Sequence, residues 1–213
     1  MKTKDAFALR NFDADKFLTE QFQKCGLHEM TLERFRCVLG RAKDIKDILH
    51  ILGIPVADID GLQSARRKYF KLQTILDDFI RRIGRHQQRL RNFQSAVFLD
   101  SDTREIPTQR IKKIFSTYTV LLNNVLPYSY TLLEIIANID AAQKKYYREK
   151  FSTRLRQARK AKGLKQTEIA AQIGLVYTAY GGYERGRSSP DVAHIGILSQ
   201  ILDTTPNWLF GFD

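Results

Sequence analysis

Residues 166–186, QTEIAAQIGLVYTAYGGYERG, decide how the rest of the chain is read. Residues 166–173 place Ile169, Ala170 and Ile173 on one face at helical spacing, and Gly174 follows where a helix wants a left-handed residue just past its end. Leu175 enters the turn as a buried plug. A second helix from Val176 to about Tyr183 carries Tyr180 and Tyr183 on its inner face, so Tyr177, Thr178, Gly181 and Gly182 are expected to point outward. Two short helices meeting at a glycine are built to be covered on one side only.

The residues on either side extend the pattern in a fixed order. Leu155, Arg156 and Arg159 lie on a preceding helix, Gly163-Leu164 come before Gln166, Tyr183-Glu184-Arg185-Gly186 close the second helix, and Pro190-Asp191 open another. This ordered set resembles the Cro/repressor-type, xenobiotic-response-element-like, helix-turn-helix transcriptional regulators over residues 151–212. The N-terminal region carries no resemblance. The likeness implies a C-terminal five-helix DNA-binding domain of lambda-repressor-like type, whose second motif helix enters the major groove while the preceding helix crosses the backbone. Carried over by position, it implies that Tyr177, Thr178, Gly181 and Gly182 face bases and that Gln166 faces phosphate, with Lys165 beside it. It also implies a partly buried ion pair between Arg159 and Glu184. Arg185 and Arg187, just past the helix, are expected to meet phosphates.

Two features depart from the family pattern. Lys165 and Val176 stand where Ser or Thr would cap the two helices, each change costing about 1 kcal/mol. Gly181 and Gly182 cost roughly 2 kcal/mol relative to alanines and supply no side chain to read a base. Base discrimination should therefore rest mainly on Thr178 and Tyr177.

Charge supports a polyanionic partner. The formal net charge is +12 with a pI of about 9.8, and Lys144, Lys145, Arg148, Lys150, Arg154, Arg156, Arg159, Lys160, Lys162 and Lys165 crowd one stretch against Glu149 alone. Such a field draws nucleic acid. The most apolar window, residues 118–139, is interrupted by Asn123, Asn124, Pro127, Glu134 and Asn138, which argues against a membrane span. No apolar leader follows Met1, and Cys25 and Cys37 have no metal-ligand spacing, so a soluble cytoplasmic protein with no metal or other cofactor is expected.

Upstream, the chain reads as all-α. Residues 1–12 form an arm; Asp13 caps a helix with Phe17, Leu18 and Phe22 that Gly26 ends; Thr31 caps a longer one with Phe35, Val38, Leu39, Ala42, Ile45, Ile48, Leu49 and Leu52. From Leu62 apolar residues recur three and four apart through Tyr69, Leu72, Leu76, Phe79, Ile83, His86, Leu90, Phe93 and Val97. That heptad spacing predicts a helix over about residues 60–99, roughly 60 Å long. Residues 101–105 read as a loop, Pro107 opens a helix that Pro127 closes, and another begins at Ser129. Whether residues 129–162 make one continuous helix stays open.

The domains expected are a helical dimerisation or partner-binding region at 1–148 and a helix-turn-helix domain at 149–213. The function expected is a sequence-selective regulator that binds an inverted repeat in double-stranded DNA as a homodimer held by its N-terminal helices, with room for a protein or small-molecule effector. The alternative is an antitoxin-like or anti-repressor module whose N-terminal domain grips a partner while the DNA-binding tail autoregulates. An enzyme is not expected: there is no phosphate loop, nucleophile elbow or paired metal ligands, and the carboxylates to examine are Glu134 and Asp140, which lie in an apolar helix.

Overall fold

The structure is a computed structural model that describes residues 13–28, 33, 49, 51–54, 58–97 and 105–212. The expected arm at 1–12, most of the expected helix at 31–52 including Cys37, and residues 101–104 of the expected loop lie outside the described residues. Among the described residues every regular element is a helix: α1 Ala14–Lys24, α2 Ile59–Val97, α3 Glu105–Ala161, α4 Gln166–Gln172, α5 Tyr177–Glu184, α6 Val192–Ile201 and α7 Pro206–Phe210. The chain divides into two compact units, Met1–Asp140 and Ala141–Asp213, and the division falls within α3.

In the first unit Asp13 caps α1 as its sequence position predicts, its carboxylate accepting from the amides of Asp15 and Lys16 at 3.0 and 3.1 Å. Gly26 takes the left-handed conformation, φ +72°, that ends the helix. Leu18 and Phe22 turn inward, Phe17 stacks on Phe79 at 4.8 Å between ring centroids, and Cys25 is a small core residue whose thiol pKa is raised by burial.

α2 is 39 residues long, and the first part of its seam, as far as Ile83, is mostly buried within the chain. Leu62, Tyr69, Leu72, Leu76 and Ile83 are each 3 % exposed or less. Tyr118, Leu121, Val125, Leu132, Ile135 and Ile139 of α3 are each 4 % exposed or less. Heptad spacing reports that a stripe is covered, not by which chain, and these buried residues of the stripe pack within the chain. His86, the polar member, stacks on Tyr118 with centroids 5.9 Å apart. α3 is long and apolar enough by composition to span a membrane, and somewhat under half of its apolar window is buried inside the molecule, with Val120, Tyr130 and Leu133 exposed.

Pro127 does not end its helix. α3 runs unbroken through it for 57 residues, so the expected break is corrected to a continuous helix. Proline removes one amide from the ladder and costs about 3 kcal/mol in a helix interior, but its own ring is exposed and the buried residues on both sides, Val125, Tyr128 and Leu132, hold the two halves to the same partner. Around it lies a polar knot in which Gln73 Nε2 donates to Asp77 Oδ1 at 2.7 Å and to Ser129 Oγ at 2.9 Å. Of the two carboxylates singled out in the sequence, Glu134 is exposed and Asp140 accepts from Arg66 Nε and Nη2 at 2.5 and 3.4 Å.

The second unit encloses a separate core of Phe151, Leu155, Ala158, Ile169, Ala170, Ile173, Tyr180, Leu198, Leu202 and Leu209, against which Leu164, Leu175, Tyr183, Ile195 and Trp208 pack. Asp191 caps α6 through the His194 amide at 2.8 Å, and Thr205 caps α7 through the Trp208 amide at 3.1 Å, with Pro206 in the first turn. Val192, in the first turn of α6, is 86 % exposed, and Ile195 is the first residue of that helix to pack on the core.

Candidate nucleic-acid interface

α4 ends where sequence places it. Gly174 adopts φ +68° and donates to Ala171 O at 3.2 Å, and Leu175 donates back to Ala170 O at 2.8 Å, so the turn closes the last carbonyls of α4 before α5 begins. Val176 leads into α5 in an extended conformation with no side-chain cap, as its identity requires. Lys165 likewise caps nothing with its side chain, but Glu168 Oε2 accepts from the Lys165 amide at 2.7 Å, which restores half of a capping box. That half was legible in the spacing of Glu168 from Lys165.

The two motif helices are fastened by one carboxylate. Glu184, with a fully buried side chain, accepts from Arg159 Nε at 2.5 Å and Nη2 at 3.0 Å, and from Gln166 Nε2 at 2.7 Å. Arg159 Nη1 donates to Leu164 O at 2.9 Å, and Arg156 Nη2 donates to Glu184 O at 2.9 Å. Burial alone would raise the Glu184 pKa; the hydrogen bonds from Arg159 and Gln166 oppose it and hold the carboxyl below its ordinary range. Tyr180 is buried nearby, and desolvation first, then the Glu184 charge, pushes its phenol pKa far up, so it stays neutral. Gln166 thus spends an amide hydrogen inside the domain.

The expected outward residues divide into two pairs. Val176, Tyr177 and Thr178 are exposed at the start of α5, at 70 % and 53 % for the first two. Gly181 and Gly182, which carry no side chain, are buried. The reason is local: the side chain of Arg185 lies over Gly181 and that of Ser188 over Gly182. Lys165, Arg185 and Arg187 are all exposed.

The basic stretch is less uniform than its composition. Arg154 Nη1 donates to Trp208 O at 2.6 Å while its guanidinium sits 5.0 Å over the indole ring, fixing the end of α7. Arg156 and Arg159 serve Glu184, Lys162 reaches Asp203 at 3.4 Å, and Lys145 lies 3.8 Å from Glu149. Lys144, Arg148, Lys160 and Lys165 are exposed and supply the remaining field of that stretch. Sequence reading counted all of these cations together, because nothing in a charge count separates an arginine that braces a helix from one that faces solvent. Among the described residues no cluster of histidine, cysteine or carboxylate side chains is arranged to hold a metal.

Comparison with known proteins locates the resemblance. The Helix-turn-helix family matches residues 155–209. The chain is similar to three Bacillus subtilis (strain 168) proteins: the uncharacterized HTH-type transcriptional regulator YobD, 34 % identical over 61 residues, 29 % of this chain and 54 % of that one; the SPbeta prophage-derived uncharacterized HTH-type transcriptional regulator YonR, 36 % over 59 residues, 28 % and 55 %; and the uncharacterized HTH-type transcriptional regulator YqaE, 37 % over 59 residues, 28 % and 51 %. The chain spans about half the length of the curated relatives it matches. No solved structure matches it significantly. The motif turn at Gly174, the two helices that Glu184 ties together and the match over this same region lead to one conclusion: residues 155–209 are a Cro/repressor-type helix-turn-helix domain, shared with HTH-type transcriptional regulators.

Proposed function

We propose that the chain is a sequence-selective regulator of transcription that reads double-stranded DNA through α5 and binds an inverted repeat as a homodimer. The observation that carries this reading is the exposed start of α5: Tyr177 and Thr178 project from a helix whose other side is anchored in the domain core by Tyr180 and Glu184. A tyrosine ring and a threonine methyl suit contact with thymine methyl groups. The uncapped amides at the first turn of α5, with Gln166, Lys165 and Arg187, suit the phosphates on either side. Relatives that share the domain are regulators by name, not enzymes.

Two base-facing side chains from one domain discriminate weakly, which is why two copies on half-sites about one helical turn apart are the economical arrangement. The seam residues buried within the chain leave the proposed contact between copies to other residues of the N-terminal helices. The first unit has a buried core of its own, which favours a folded dimerisation or effector domain over an antitoxin-like segment that its partner orders. Selection of bound sequences from a random duplex pool by the full chain, paired with light scattering, tests the proposal. An enriched inverted repeat and a dimeric mass support it; an enriched single half-site with a monomeric mass removes the dimer; no enriched sequence removes the DNA-reading function.

A further inference from the structure

Tyr177 and Thr178 precede Gly181 by four and three residues, so the three positions form one strip along α5. The sequence leaves that strip blank at its third position. The structure does not: a methyl group placed on Gly181 would stand 2.8 Å from Arg185 Nη1, 3.3 Å from Nη2 and 3.4 Å from Cζ. The guanidinium therefore occupies the space that a side chain at 181 would fill, folded back one turn from its own Cα. Ser188 does the same one position along, where a methyl on Gly182 would stand 2.8 Å from its Oγ. Arg185 as a whole remains exposed.

We infer that Arg185, laid over Gly181, is a base-reading side chain of this domain and that its target is the major-groove edge of a guanine. This rests on α5 being the helix that enters the groove. An arginine beyond a helix end ordinarily extends to the nearest phosphate, as Arg187 is placed to do. Arg185 instead lies against the backbone of the strip that Tyr177 and Thr178 begin. A planar fork held there presents two parallel N–H donors, and guanine is the base whose groove edge offers two neighbouring acceptors, N7 and O6. The glycine pair then has a use that its helix propensity argues against: Gly181 is the berth of the reader, and any larger residue displaces it.

The experiment uses the full chain and the duplex that it selects. Arg185→Lys keeps the charge and loses the fork. Gly181→Ala removes the berth with a residue that favours helix, so the fold is retained, which a thermal melt by circular dichroism verifies. Both variants are expected to lose preference for one G·C pair in each half-site by about tenfold or more, with the other positions and the salt dependence unchanged. Retention of every G·C preference by Arg185→Lys overturns the inference. So does an Arg185→Ala variant that weakens all sequences alike and lowers the salt slope by about one unit, the mark of a phosphate contact. Failure of the unmodified chain to select any sequence overturns the groove assignment itself, before any variant is compared.

Discussion

Replacing Glu184 by alanine removes the acceptor of three hydrogen bonds at once and leaves Arg159, whose side chain is 13 % exposed, charged and unpaired beside an apolar core. Breaking a buried pair by deleting one partner costs about 3–5 kcal/mol, whereas an exposed pair is worth about 1 kcal/mol or less. Trp208 is the only tryptophan in the chain and packs on the core of this domain, so its fluorescence follows the unfolding of the second unit. With a slope of about 1–2 kcal/mol per molar urea for so small a unit, the midpoint should fall by on the order of 2 M. Glu149→Ala, which removes the exposed partner of Lys145, is the control and should shift it little. The pH dependence has a definite sign. Glu184 has a depressed pKa in the folded state, so its contribution is present above the unfolded carboxyl value of about 4.3 and is lost as pH falls through the lower folded value. Glu184→Ala should abolish that acid-side slope. A midpoint shift no larger than that of Glu149→Ala would refute the idea that the carboxylate locks the motif together.

Other outcomes follow from the same geometry. Leu76→Ala empties a fully buried site in the α2 seam and should destabilise the first unit by about 2–5 kcal/mol in a thermal melt without altering the mass seen by light scattering; dissociation of an otherwise stable dimer would return the seam to an intermolecular role. Pro127→Ala restores an amide facing Asn123 O while leaving no cavity, since the ring is exposed, and should stabilise the chain by about 1–3 kcal/mol; a lower melting temperature would mean that the packing depends on the proline. Thr178→Ala should relax preference at one or two base pairs in competition binding, whereas Arg187→Ala should weaken all duplexes alike and reduce the salt slope by about one unit. Equal effects of these two on every duplex would sink the division between base and phosphate contacts.

Local chemistry was the legible part of the sequence. Caps at Asp13, Asp191 and Thr205, the turn at Gly174 and the extent of α2 all follow from side-chain types at short separations, where backbone preferences and neighbouring groups decide the outcome. Pro127 misled because a local penalty of a few kcal/mol was set against apolar burial contributed by residues far away in sequence. The seam was legible only in part for a related reason: periodicity identifies a covered face, and the identity of the cover is a long-range fact. In the reading head, Arg159 and Glu184 came from resemblance, while the third bond from Gln166 depends on how far α4 is turned toward α5. Gly181 and Gly182 were judged by what glycine lacks. What mattered was what glycine admits, and Arg185 and Ser188 are each several residues further along the chain.

The Glu184 knot also bears on time. A domain that searches a genome meets enormous numbers of wrong registers, and each must be rejected during a brief visit while it slides or hops along the backbone. Were α4 and α5 assembled only on the correct sequence, every encounter would wait for helices to order before an answer could be given. Fastened in advance by a carboxylate that touches both, the head can interrogate each register as fast as side chains reorient, within picoseconds to nanoseconds. On the proposed function, the buried acid would spare each encounter the time that ordering the two helices takes.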